Sequence, residues 1–342
     1  LRCLEFAIQK QAFDASAALL AVKFQRVLTL YNNERIGPIL ERFFDWPNGN
    51  DSAPLRAHIG CAIIHSISNS GQVERQSQLV ERCEALAEGD DEATIDVRFC
   101  KSNIYKVKGE YPEAIAEMEW VLARTDTNDD HLMANRLYRQ GLNYGCLNDR
   151  DKTFYYFSNA LPYARRAQDV NMIIRLLFDL GSEYAHLKDG DKAIECFVEA
   201  ETLCESVGSR KLEGLTRWQH GDALIDLNQP AEALELLKQS IKLVYEGNFP
   251  AAEKWIFIKA AQAAHECGFS VLSAKLLGKG VHVREEEKRT LAVYETNYVE
   301  SLTEKLRSKL GDHEFKRHKF EGIQSDWQTL WSEFDSLNST GR

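Results

Sequence analysis

The chain is 342 residues long, 44% apolar and 27% charged, with a net charge of −10. That is the balance of a folded, water-soluble protein, and the negative charge argues against direct nucleic-acid binding over the whole surface. No segment approaches the roughly 18 continuous apolar residues of a membrane span, so no membrane partner is expected.

The chain opens Leu1-Arg2-Cys3-Leu4-Glu5-Phe6-Ala7, with no signal-peptide layout and a helical pattern already running at its first residue. The expectation is a piece cut from a longer polypeptide, entered at the second half of a hairpin that runs from Leu1 to Phe13. Two degenerate hairpins follow. One pairs Ser16 to Leu30 with Ile36 to Phe44 across Asn32-Asn33, the other His58 to Ile67 with Glu74 to Leu86 across Gly71. Trp46 to Asp51 and Gly89-Asp90-Asp91 are connecting loops, rich in turn formers. From Ile95 the hairpins become regular. They turn at Lys108 to Pro112, Leu147 to Asp151, Lys188 to Asp191, Leu227 to Pro230 and Cys267 to Phe269. After Val281 the period stops. Arg284 to Leu310 reads as one long charged helix or two, with Gly311 as a C-cap. Asp312 starts another helix, Ser325-Asp326-Trp327 caps a last one, and Asn338 to Arg342 reads as a frayed tail. The organisation is therefore degenerate hairpins at 1–92, regular repeats at 93–283, a helical cap at 284–337 and the tail at 338–342.

Inside the regular region one spacing recurs: Gly, then Tyr, a small residue, Phe and Ala. It reads Gly141, Tyr144, Thr153, Phe157, Ala160 and again Gly181, Tyr184, Ala193, Phe197, Ala200, a shift of 40 residues. Degraded copies run Ser102, Tyr105, Ala114, Met118, Val121, then Gly221, Leu224, Ala233, Leu237, Ser240, and then Ala261, Ala264, Ser273, Leu277, Gly280. A fixed period of this length means stacked helical hairpins. The glycine lets the two helices of a hairpin approach, and the Phe or Leu plugs into the following repeat.

The hairpin spacing resembles the tetratricopeptide repeat, in a long-helix variant. The end is similar to the C-terminal region of bacterial signal-transducing (STAND-type) ATPase regulators. The matching stretch is Ala274-x-Leu276-Leu277-Gly278, then Arg284-Glu285, Tyr294-Glu295, Leu310-Gly311, Phe315, Glu321-Gly322 and Ser325. The resemblance implies an all-α, right-handed superhelical solenoid of six to seven hairpins with a C-terminal helical cap. It also implies a sensor or scaffold whose ATPase module lies upstream in the full-length chain, in the cytoplasm.

No catalytic, cofactor or metal site stands out. Gly278-Lys279-Gly280 lacks the upstream glycine and the Ser or Thr of a phosphate loop, and His265-Glu266-Cys267 lacks a second histidine. The eight cysteines include no CxxC pair and read as buried free thiols; Cys61 and His65 are one helical turn apart, without a second ligand pair for zinc. What remains is an aromatic stripe three positions before each repeat glycine: Phe99, Tyr138, Phe178, Trp218 and Ile258. It reads either as anchors of a peptide-binding groove or as core between hairpins. Asn103, Arg139, Asn143, Arg175, Asp179, Gln219, Asp222, Asp226 and Gln262 lie near it. Amides such as Asn103 and Asn143 suit a peptide backbone, and Arg175 suits a carboxylate. Lys305, Arg307, Lys309, Lys316, Arg317, His318 and Lys319 form a basic cluster that reads as a solvated face or as a dock for an acidic surface. The expected function is non-catalytic binding of a protein, peptide or small ligand in the concave groove of a bacterial signalling or transcription regulator. The alternative is a free-standing scaffold or peptide-pheromone receptor.

Overall fold

A computed structural model of the protein describes residues 40–41, 44–45, 53–68, 72–246, 250–286 and 293–340; the helices expected from Leu1 to Phe13 and from Ser16 to Leu30, and all but residues 40–41 and 44 of the one expected from Ile36 to Phe44, lie outside the described residues. Among the described residues every regular element is helical. The helices are α1 (Ala53–Ser66), α2 (Val73–Leu86), α3 (Asp91–Lys108), α4 (Tyr111–Leu122), α5 (Asp130–Cys146), α6 (Arg150–Arg166), α7 (Val170–His186), α8 (Gly190–Val207), α9 (Arg210–Asp226), α10 (Pro230–Glu246), α11 (Pro250–Glu266), α12 (Ser270–Glu286), α13 (Val293–Leu310), α14 (Asp312–Gln324) and α15 (Trp327–Thr340). The fold is all-α, built of tetratricopeptide-like hairpins. Two compact units divide it, Leu1–Tyr163 and Ala164–Arg342.

The punctuation of these helices repeats with the sequence period. Asp129, Asp169 and Ser209 cap α5, α7 and α9, each accepting from the backbone N–H three residues on. The hairpin turns place one residue at positive φ seven positions after the repeat glycine: Gly109, Asn148, Lys188, Asn228 and Gly268. Glycine and asparagine tolerate that conformation, whereas Lys188 (φ 61°) is strained there. Its ammonium donates to the Asp226 carbonyl at 2.6 Å, a bond that offsets the strain.

In the first unit the core runs from Leu40 and Phe44 through α1, α2 and α3, with Ile59, Ile63, Cys83 and Val97 almost fully buried. Polar side chains stitch the repeats. The Ser102 hydroxyl donates to the Ala114 carbonyl (2.7 Å), and Arg136 donates to the Thr125 hydroxyl (2.6 Å). His58 pairs with Asp96 at 2.9 Å, and that hydrogen bond raises the imidazole pKa above its ordinary 6.5 despite partial burial. The folded state thus holds this proton more tightly than the unfolded chain does. The resulting stabilisation is complete below the ordinary histidine value and is lost as pH rises through the raised one. Denaturation midpoints should therefore fall from about pH 6 to about pH 8, and Asp96→Asn should flatten that fall; an unchanged slope would remove His58 as its source.

The second unit carries the most regular hairpins. Gly181 and Gly221 form notches that the partner helix fills: a Cβ on Gly181 would lie 2.8 Å from the Phe197 ring, and one on Gly221 would lie 2.8 Å from Leu237. In the first unit, Gly141 and Phe157 make the same pair at 2.5 Å. The aromatic residue thus fills its own hairpin first. Phe197 also stacks on His220 of the next hairpin (4.9 Å between centroids), so the expected plug into the following repeat is the second half of its role.

The stretch expected as one long helix or two falls on the end of α12 and on α13, with 287–292 between them outside the described residues. Gly311 follows α13 with φ 82° and ψ 152°, so it also begins α14 as its N-cap. Asp326 caps α15 by accepting from Thr329 N–H at 2.7 Å, and the helix extends through Thr340, beyond the start of the expected frayed tail. In the cap, α14 lies on α12 with backbone against backbone. A Cβ on Gly278 or Gly322 would overlap the Lys319 or Lys275 carbonyl oxygen respectively. Leu302, Leu306, Phe315, Leu330 and Phe334 join the core of α9–α12.

Candidate functional site

The stripe divides in the structure. In the first unit Tyr138 is 7% exposed and packs against Phe157 at 5.5 Å, which makes it core. Phe99 is half-buried and stacks on His65 at 5.5 Å. Asn143 departs from its expected groove position. It is 2% exposed, and its amide donates to the Ser102 hydroxyl (3.2 Å), the Ala114 carbonyl (3.4 Å) and Gln140 (3.2 Å). An amide nitrogen so engaged inside the core ties adjacent repeats together and has no N–H left for a ligand backbone. Asn103 is half-buried and donates to the Phe99 carbonyl of its own helix at 3.1 Å.

In the second unit Ile258 is fully buried, Phe178 is half-buried beside Phe197, and Trp218 is half-buried with no partner for its indole N–H. Arg175 is exposed. Asp222 stands at the centre of a polar cluster drawn from successive first helices. Lys259 of α11 pairs with it at 2.6 Å, and neighbouring Asp226 pairs with His186 of α7 at 3.1 Å. The Lys259 ammonium also lies 4.7 Å over the ring of Tyr298 from α13, and the Tyr298 hydroxyl donates to Gln262. Burial raises the Asp222 carboxyl pKa even with Lys259 beside it, while the hydrogen bond from His186 lowers that of Asp226. Burial next to these carboxylates raises the Tyr298 phenol.

His186, Lys259 and Tyr298 had no sequence signal as individuals. The first two sit in the repeat register: positions two before the glycine are Asp179, Gln219 and Lys259, and positions five after it are His186, Asp226 and Glu266. On a helix those offsets share a face with the positions one after the glycine, Ser182, Asp222 and Gln262. Tyr298 comes from the aperiodic cap.

Other clusters carry less. The fold brings Cys61 together with Cys83 and Cys100, with the Cys100 thiol 3.5 Å from His65 Nδ1. A hydrogen bond with Cys100 pushes the Cys61 thiol well above its ordinary pKa, one with Cys61 does the same for Cys83, and burial raises Cys100. Among the described residues no group of His, Cys, Asp and Glu is arranged to hold a metal ion. Cys146 is exposed, unlike the buried thiols expected throughout. In the basic cluster, Arg307 and Lys316 pair with Asp312, and Arg317 with Glu314 and Glu321. Gly278, in the segment with a partial likeness to a phosphate loop, is covered by the backbone of α14. No described helix is long and apolar enough to cross a membrane.

These features define a tetratricopeptide-like helical-repeat fold. A family model described as tetratricopeptide repeat matches residues 174–206, the α7–α8 hairpin. No curated protein matches the sequence significantly. Among solved structures, a Rap protein complexed with Competence and Sporulation Factor is similar with a TM-score of 0.65 at 12% identity, over 96% of this chain and 99% of that one. The apo form of RapI gives 0.59 at 10% identity, over 95% and 97%. A STAND protein with a tetratricopeptide repeat sensor from Pyrococcus horikoshii gives 0.50 at 10% identity; 90% of this chain aligns with 53% of that one. Likeness at such identities is likeness of fold.

Proposed function

We propose that this chain is the non-catalytic sensor region of a bacterial signalling or transcription regulator, and that it binds a protein or peptide on the face made by its first helices. The observation that carries this reading is the polar cluster of Asp222, Lys259, His186 and Tyr298. Its central residue, Asp222, shares α9 with Trp218, whose indole N–H is unmatched. Charged and aromatic groups held in place by neighbouring repeats form a preorganised surface of the kind that recognises peptides. Binding there would bias the packing of an attached module. The STAND protein with its repeat sensor supports this version. A free-standing peptide receptor is the second reading, favoured by the nearly complete mutual coverage with a Rap protein solved with its factor.

The test is selection of a random peptide library on the purified chain, with Trp218→Phe and Asp222→Asn compared alongside. Both variants should lose enrichment about tenfold with melting temperatures close to wild type, whereas Tyr138→Ala should lower the melting temperature by several degrees. Enrichment that survives both groove variants would remove this face as the site. Recovery of the full-length gene separates the two readings: an upstream ATPase module supports the sensor, and a complete frame without one supports the receptor.

A further inference from the structure

Tyr298 enters the Asp222 cluster from outside the repeats. His186, Asp222 and Lys259 come from successive first helices, α7, α9 and α11, whereas Tyr298 stands on α13 of the cap. It is one turn before Leu302 and two before Leu306, which are 5% and 0% exposed in the core of the second unit. Tyr298 continues that stripe onto polar ground. One side of its ring packs against the edge of the core, but the Lys259 ammonium lies 4.7 Å over the ring, and the hydroxyl donates to the Gln262 side-chain carbonyl. Burial, with Asp222, Glu266 and Asp226 nearby, raises the phenol pKa, so the hydroxyl remains a donor.

The seat beneath the ring does not depend on the tyrosine. Asp222 holds Lys259 at 2.6 Å, and the Gln262 amide nitrogen donates to Glu266 at 2.8 Å. With Tyr298 turned away, the ammonium and the amide carbonyl stay fixed in place, one suited to a ring face and the other to a hydroxyl. A resident side chain on such a seat lowers the apparent affinity for anything that must replace it. We propose that Tyr298 is a built-in competitor on the first-helix face, and that the partner displaces it with a phenol of its own, the tyrosine side chain of a peptide or protein. The inference rests on the binding face proposed above and adds which side chain that face receives.

Calorimetric titration of the whole chain with N-acetyltyrosinamide and N-acetylphenylalaninamide tests this. Tyr298→Ala should bind the tyrosine probe about tenfold more tightly than wild type, and the phenylalanine probe about tenfold more weakly than the tyrosine one. Tyr298→Phe, which leaves no hole and loses only the bond to Gln262, should also bind the tyrosine probe more tightly than wild type, by about threefold. If Tyr298→Ala fails to fold, that gain decides alone. Adding Lys259→Met to Tyr298→Ala should weaken the tyrosine probe about tenfold, whereas an apolar hole left by truncation would keep its affinity. No gain in either Tyr298 variant, equal binding of the two probes, or indifference to Lys259→Met would overturn the proposal. Peptides selected on the first-helix face without a common tyrosine would overturn this inference alone. A selection that enriches nothing would remove the binding face and this inference with it.

Discussion

Gly322→Ala is expected to destabilise the C-terminal cap by about 3 kcal/mol or more, the upper end of what overpacking costs. The reason is where the added methyl would go. A Cβ on Gly322 would overlap the Lys275 carbonyl oxygen and lie 2.5 Å from Lys275 Cα, and both belong to the backbone of α12. A side chain could rotate away, but two helix backbones can only separate, and separation uncovers the packing that Phe315 and Leu306 make within the second unit. Gly278→Ala meets the Lys319 carbonyl from the other side of the same crossing, so the double variant should cost little more than either single one. Gly311→Ala is the control. Nothing lies within 4 Å of that Cβ, and only the backbone is unfavourable, at φ 82° and ψ 152° in a region open essentially to glycine alone, a cost of about 1–3 kcal/mol. Urea unfolding followed by tryptophan fluorescence, with Trp327 and Trp331 on α15 as reporters, measures all four. A Gly322→Ala midpoint close to that of Gly311→Ala would show that the two helices are not seated backbone against backbone.

Phe197→Ala should cost about 3–5 kcal/mol, the range for emptying a fully buried aromatic site. Phe197 is 0% exposed, fills the notch of Gly181 and stacks on His220, so its loss opens a cavity within one hairpin and between two. The sharper test is the cycle with Gly181→Ala. In the wild-type background that methyl lies 2.8 Å from a ring with nowhere to move, and it should destabilise. With the ring gone the space is open, and alanine should recover about 0.5–1 kcal/mol through its higher helix propensity. A reversal of sign would establish glycine and ring as one packing unit; additive effects would show that the ring fills some other space.

Several of the residues that carry the resemblance of the C-terminal region to signalling ATPase regulators are packing residues in the structure. Gly278 and Gly322 are the two halves of the α12–α14 crossing, Phe315 and Leu276 are buried beside it, and Ser325 accepts the ammonium of Lys279 on its carbonyl at 2.9 Å.

The sequence by itself determined the all-α class, the hairpin turns to within a residue or two, and the glycine and aromatic residues that make each crossing. It could do so because hairpin packing is local: both members of a pair such as Gly181 and Phe197 lie within one repeat and recur with it. Only the tertiary structure decided which polar residues stand together. Asn143 looked available by its residue type and is consumed in the core, because its neighbour in space is Ser102, 41 residues earlier. Lys259 and Tyr298 were inconspicuous, yet they complete the cluster at Asp222 because stacking brings α9, α11 and α13 to one face. Packing repeats require similar residues at equivalent positions and so leave a periodic trace. A binding face varies its chemistry from repeat to repeat, and its members become visible only when the repeats are stacked.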